Sequence, residues 1–224
     1  MIEFAGVGLR LGRRDVLSGV TARLTERRIG VIGANGSGKS TLARLINGLA
    51  LPTSGTVTVR GLDTRRHGAR VRREVGFVFT DPDAQIVMPT VAEDVAFSLR
   101  RRGVPKEEID RRVREVLARY GLEEHADQPA HHLSGGEKQL LALCSVLVLE
   151  PALLVMDEPT TLLDLRHSRM LAAILRELPQ HVVVVTHDLP LLEDFDRVLV
   201  LDRGKIVADA DPATAIAHYR ALMS

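Results

Sequence analysis

Aromatic residues make up only 3% of the 224 residues, and tryptophan is absent. Proteins that grip single-stranded nucleic acid stack bases on aromatic side chains, so this scarcity argues against that class. Cysteine occurs once, at Cys144, which rules out an internal disulfide framework and predicts a reducing, cytoplasmic setting. Neither sign of charge is in excess. Thirty Lys and Arg against twenty-nine Asp and Glu leave +1, which gives no electrostatic case for nucleic acid. Apolar runs such as Val182 to Val185 fall far short of the roughly 20 residues a membrane-spanning helix needs. Met1-Ile2-Glu3-Phe4 offers no basic leader ahead of an apolar stretch, so secretion is not expected. What is present is 45% hydrophobic and 26% charged, the balance of a folded chain long enough to bury a core.

The pattern along the chain is α/β. Val7 to Leu11, Val16 to Leu24, Ile29 to Ile32 and Gly55 to Val59 read as strands, with a helix over Lys39 to Leu49. Val75 to Thr80 is a further strand. From about Thr90 to Leu149 the texture is helical, with helices predicted from Pro105 to Tyr120 and from Gly135 to Leu149. The αβ alternation then returns, as strand Leu153 to Met156, helix Leu165 to Leu178 and strand His181 to Thr186. A hairpin turning at Asp202-Arg203-Gly204 and a helix near Pro212 to Leu222 close the chain. One domain is expected, with residues 1–87 and 151–224 as an α/β core and residues 88–150 as an inserted helical subdomain.

Three segments point to chemistry. Gly33-Ala34-Asn35-Gly36-Ser37-Gly38-Lys39-Ser40-Thr41 fits G-x-x-x-x-G-K-[ST] between a predicted strand and a helix. Its glycines let backbone N–H groups curl around an anion, and the helix N-terminus adds a favourable field. Lys39 would reach the β- and γ-phosphates of a nucleotide, and Ser40 would ligate Mg²⁺. Lysine holds this position in a chain with four Lys and 26 Arg, because a compact ammonium fits where a guanidinium fork does not. Next, Leu153 to Met156 followed by Asp157 and Glu158 is a buried strand ending in two carboxylates, beside the phosphate loop of a neighbouring strand. Asp157 suits Mg²⁺ and Glu158 suits an attacking water. Last, Leu133-Ser134-Gly135-Gly136-Glu137-Lys138-Gln139 begins a helix, with Ser134 and Glu137 spaced as a capping box. A hydroxyl and free N–H groups at a helix start are also a second anion site.

Taken together these residues resemble the nucleotide-binding subunit of ATP-binding-cassette (ABC) transporters, over essentially the whole chain. Gly33 to Thr41 is similar to Walker A, Leu153 to Glu158 to Walker B with its catalytic glutamate, and Leu133 to Gln139 to the LSGGQ signature, with Glu137 for Gln. Gln85 stands where the Q-loop glutamine would be, Thr161 to Asp164 where the D-loop would be, and His187 where the switch histidine would be. The resemblance implies a P-loop NTPase core with an antiparallel β subdomain and a helical signature subdomain. It implies ATP and Mg²⁺ as ligands, with Glu158, His187 and Gln85 catalytic and Ser40, Gln85 and Asp157 around the metal. It also implies a head-to-tail pair, a homodimer or a heterodimer with a second ATPase. Each ATP would lie between Gly33–Thr41 of one chain and Ser134, Gly135 and Gly136 of the other, with Asp164 near.

Some positions depart from the family. Leu11 aligns with the aromatic residue that stacks on adenine, Leu140 follows where Arg is common, and Leu162 replaces a D-loop Gly or Ala. The stretch Phe79 to Phe97, around Asp81-Pro82-Asp83-Ala84-Gln85, looks like that of energy-coupling-factor importers, which take up vitamins or transition-metal ions. The chain's length and Ser134 to Leu143 resemble the biotin-transporter type of ATPase subunit, with a cobalt or nickel importer ATPase and a non-transport ABC ATPase as the alternatives. Partners would be a transmembrane energy-coupling subunit and a substrate-binding membrane subunit, with no nucleic acid, on the inner face of the cell membrane. Docking is expected at Gln85, Ile86, Val87 and Met88. Cys144 falls among leucines and reads as core, and His131-His132 as surface. The arginine clusters at 65–73, 100–102 and 111–114 read as solvated faces, the last because Glu107, Glu108, Asp110 and Glu115 alternate with it.

Overall fold

A computed structural model describes residues 1–224. The chain opens with β1 (Ile2–Leu11), β2 (Arg14–Leu24) and β3 (Arg28–Gly33), followed by α1 (Lys39–Ile46), β4 (Ser54–Val59) and β5 (Leu62–Asp63). Next come α2 (Gly68–Glu74), β6 (Val75–Val78), α3 (Val91–Arg101), α4 (Lys106–Arg119) and α5 (Gly135–Leu147). The last part holds β7 (Leu153–Asp157), α6 (Leu165–Glu177), β8 (His181–Val185), β9 (Arg197–Asp202), β10 (Lys205–Ala210) and α7 (Pro212–Met223).

A six-stranded sheet runs in the order β10-β9-β3-β8-β7-β6, parallel except for β10. Apart from the edge strand β10, its strands are apolar on both faces, and the residues alternate between two cores. Ile29, Val31, Leu153, Val155, Val183 and Val185 point toward α1 and the four-stranded antiparallel sheet β2-β1-β4-β5. Ile32, Leu154, Met156, Val182 and Val184 point to the opposite face, into a core shared with the helices. That second core is continuous through Leu141 and Leu143 of α5 to Val95 of α3 and Val113 of α4. The helical segment therefore buries its apolar face against the sheet layer and keeps no separate core.

Two elements differ from the sequence reading for local reasons. β1 begins at Ile2, five residues earlier than expected, because register shifts after Phe4 and Val7 break its two-residue alternation. The bulge falls where Gly6 takes φ 59°. Helix α1 ends at Ile46, not Leu49, since Gly48 turns the chain at φ 70°. The short helix α2 carries little apolar pattern, its only buried side chain being Val71.

At the N-terminal edge of the sheet, Arg28 is only 7% exposed and is enclosed by main chain. Its Nε donates to Leu175 O at 2.7 Å and its Nη1 to Gln180 O at 2.7 Å and Arg27 O at 3.2 Å. Its Nη2 donates to Leu178 O and Arg176 O. One guanidinium thus satisfies carbonyls that α6 leaves unpaired at its C-terminus. Burial, and Arg27 alongside, push the Arg28 pKa down.

Candidate active site

The opposite, C-terminal edge of the sheet gathers the polar groups. β3 ends at Gly33, where a Cβ would lie 2.1 Å from Leu201 O, so the turn out of the strand admits only glycine. Gly36 and Gly38, at φ 77° and 105°, carry the chain through left-handed conformations into α1. Lys39 is 6% exposed, and its Nζ donates to Gly33 O at 2.7 Å and Ala34 O at 3.1 Å. Burial lowers its pKa, against the opposing pull of Glu158 and Asp157. Ser37 Oγ is buried without a partner. Asn35 and Gly36 lie exposed at the loop tip, and Thr41 is half-buried one position into the helix beyond Ser40.

Asp157 closes β7 at 2% exposure, and its Oδ1 accepts a 2.8 Å hydrogen bond from Ser40 Oγ. Burial raises its pKa and the neighbouring Glu158 adds to this, with the Ser40 bond opposing. Here the sequence reading needs correction. The strand bearing Asp157 is not the neighbour of the phosphate-loop strand, because β8 lies between β7 and β3. The Ser40–Asp157 bond spans that gap. The intervening strand delivers His187, whose Nδ1 lies 2.7 Å from Glu158 Oε2, while its backbone N–H donates to the same oxygen at 3.1 Å. Glu158 itself stands at φ 52°, unusual for a non-glycine residue, with its N–H bonded to Val185 O at 2.8 Å.

Ser40 Oγ and the Asp157 carboxylate are hard oxygen donors already within 3 Å of one another. They fit an Mg²⁺ ion that takes one or two protein oxygens and fills its octahedron with phosphate and water. No cluster of three or more His, Cys, Asp or Glu residues exists to form an all-protein cage.

Gln85 is not drawn into this group. Its Oε1 accepts from Phe79 N at 3.1 Å and its Nε2 donates to Ala142 O at 3.1 Å, bridging the end of β6 to α5. Leu11 is 63% exposed and pairs across the β1–β2 hairpin with Arg14, which reaches Gly36 O at 3.3 Å. Ser134 caps α5 in a complete capping box. Its N–H and Oγ both donate to Glu137 Oε2, at 2.8 and 2.7 Å, and its Oγ accepts from Glu137 N. Those bonds hold the Glu137 carboxyl below its ordinary pKa. Gly135 and Gly136 open that helix, and Asp164 caps α6 through His167 N at 2.8 Å.

The family model described as ABC transporter matches residues 19–161. The chain belongs to the ABC transporter ATP-binding family. It is 51% identical over 219 residues to the biotin transport ATP-binding protein BioM of Rhizobium etli, covering 98% of this chain and 97% of that one. Among solved structures, cbiO1 of Clostridium perfringens, part of the ABC transporter complex cbiONQ, matches at TM-score 0.86 and 30% identity over 99% of this chain and 92% of its own. A dimeric ATP-binding cassette in a post-hydrolysis state with ADP and Pi matches at TM-score 0.82 and 28% identity, over 95% and 99% of the two chains. The fold is that of these ABC cassettes, and the chain is an ATPase. No helix is long and apolar enough to cross a membrane.

Several residues that frame this site had no clear signal in the sequence. Asp94 of α3 is 4% exposed and accepts from Val87 N at 2.8 Å, Met88 N at 3.1 Å and Ser145 Oγ at 2.9 Å, which pins the segment after Gln85. Ile86, expected as exposed, instead packs against the helical core, while Val87 is 61% exposed. Cys144 is buried, and burial pushes its thiol pKa up to about 12. His131 and His132 are exposed and meet edge to face. The arginine clusters divide. Arg111 and Arg112 are paired with Glu108 and Glu115, whereas no carboxylate lies within salt-bridge distance of those at 65–73 and 100–102.

Proposed function

We propose that this ATPase powers import of a small nutrient, biotin by preference, through separate membrane subunits and by ATP-driven closure of a head-to-tail dimer. The observation that supports the reading best is the joining of Lys39, Ser40–Asp157 and Glu158–His187 at one sheet edge. In this reading the loop N–H groups from Gly33 to Thr41 hold the phosphates. Lys39, now spent on two carbonyls of its own loop, turns to the β- and γ-oxygens. Mg²⁺ held by Ser40 and Asp157 would neutralise phosphate charge. Glu158 orients the attacking water, and His187, bonded to it, fixes the carboxylate and faces the γ-phosphate. Ser134, Gly135 and Gly136 of the second chain complete the site, with Asp164 beside them.

Residues 88–150 act as the helical subdomain and residues 1–87 with 151–224 as the core. Gln85 joins the two, so loss of its bond to Ala142 or Phe79 would move one against the other. The membrane subunit docks beside it, over Val87 and the groove lined by Phe77, Phe97 and Leu149. The biotin assignment leans on the BioM relative, and cobalt or nickel is the second reading, from the likeness to energy-coupling-factor importers.

Uptake of labelled biotin and cobalt by cells expressing this chain with candidate membrane subunits tests both. Biotin uptake is expected, and it should vanish with Lys39→Ala. Metal uptake without biotin uptake would move the assignment to the second reading, and uptake of neither would refute both substrate assignments.

A further inference from the structure

In the head-to-tail reading the two glycines of the Ser134–Gly136 segment let a phosphate come close. Within this chain Gly136 has a further reason, whereas a side chain at Gly135 would make only an ordinary contact. A Cβ at Gly136 would lie 2.6 Å from both Cγ and Cδ2 of His167 and 2.8 Å from its Nδ1. A Cβ at Gly135 would meet Leu162 O at 3.4 Å. The segment Leu162 to His167 is therefore packed against the start of α5 with no room for a side chain at Gly136. Both faces of the contact come from short, separate stretches of sequence, and only tertiary packing brings them together.

His167 also fastens the other side of this contact. Its Nδ1 lies 2.9 Å from Asp164 Oδ1, and its backbone N–H donates to the same oxygen at 2.8 Å. The ring is half-buried, so it is fixed by one hydrogen bond and one flat apolar contact. The imidazole thus bridges Gly136 and Asp164. Asp164 and the Leu162 backbone belong to the loop that follows Glu158.

We propose that His167 is a positioning residue that locks the loop after Glu158 onto the Ser134–Gly136 helix start, holding that helix start in the orientation a second copy of the chain must meet. The inference rests on the head-to-tail reading given above. It places the control of dimer closure in a side chain that touches neither nucleotide nor metal. Asparagine can keep both features, since its Cγ and Nδ2 occupy the places of the imidazole Cγ and Nδ1. Alanine keeps neither.

The test uses full-length Glu158→Gln protein, in which ATP is retained, and follows its sedimentation with Mg²⁺ and ATP. Adding His167→Ala should weaken ATP-driven dimerisation at least tenfold, with nucleotide affinity of the monomer changed by no more than about twofold. His167→Asn should restore dimerisation to within about threefold of the parent. Dimerisation unchanged by His167→Ala would overturn the inference, as would equal weakening by Ala and Asn. Should His167→Ala fail to fold, His167→Ser, equally too short to fill the space over Gly136, should give the same loss, and its failure to do so would overturn the inference equally. Failure of the Glu158→Gln parent itself to dimerise with ATP is a different result. It would remove the head-to-tail reading and this inference with it.

Discussion

The two ends of the parallel sheet hold charge in opposite ways. At the N-terminal edge the cation of Arg28 is buried among carbonyls of Leu175, Arg176, Leu178 and Gln180, and the chain itself supplies every partner. At the C-terminal edge Lys39, Asp157 and Glu158 crowd together, with Ser37 Oγ buried and unpaired. Burial disfavours the charged forms of Lys39 and Asp157 there, and Asp157 also feels Glu158. The same strands therefore present one end enclosed by its own main chain and one end where each buried charge is held by a few internal bonds, with Gly33 O, Ala34 O, Ser40 Oγ and His187, that a ligand can replace. A buried charge enclosed by many fixed carbonyls serves stability, and one held by replaceable bonds serves binding.

That contrast can be broken first at the ligand end. Glu158→Gln keeps the shape of the site and removes the carboxylate, so ATP turnover should fall by about 10²–10⁴-fold while ATP binding persists. Phosphate-release and equilibrium-binding assays on one preparation check this, and near-wild-type turnover would deny Glu158 its role. At the closed end, Arg28→Met should destabilise the fold by ~3 kcal/mol or more, because several buried carbonyls lose their donor at once. Urea unfolding measures it, and the ATPase rate per folded molecule should stay close to wild type. A loss below ~1 kcal/mol would mean that water replaces the guanidinium.

The smallest effect sharpens the comparison. Asp157 has its pKa raised on folding, so its ionised form costs stability above that pKa, and the cost disappears as pH falls through it. Asp157→Asn removes the charge while its amide oxygen can still accept from Ser40. The nucleotide-free protein should then melt about 2–4 °C higher at neutral pH, with the gain shrinking in acid. Mg²⁺ with ATP should stabilise the wild type and not this variant. A lower melting temperature without ligand would show that the Ser40 bond outweighs the buried charge.

Much of the site could be read directly because its signals are short in sequence. Gly33 to Thr41 couples a strand end, glycine turns and a helix start within nine residues, and Leu153 to Glu158 announces a buried strand ended by acids. The capping box at Ser134 and Glu137 was likewise local, and it formed with both of its reciprocal bonds. Position in the sheet was harder. Nothing local told that β8 would lie between β3 and β7, since strand order is set by crossover packing between distant segments. Gln85 read as a Q-loop glutamine beside the metal, yet its amide is held by Phe79 N and Ala142 O, a contact 57 residues apart in the second case.

The sequence by itself determined the element types, the phosphate loop and the carboxylate pair, because backbone preference and hydrophobic period act over a few neighbouring residues. Tertiary structure alone decided that Ser40 would meet Asp157, that His187 would meet Glu158, and that His167 would fill the space over Gly136. It alone brought the end of α6 around Arg28. The physical reason is the same in each case. A buried polar group must find a partner wherever the packing of apolar faces leaves one, and that place is fixed by the layers of the fold and not by the spacing of residues along the chain.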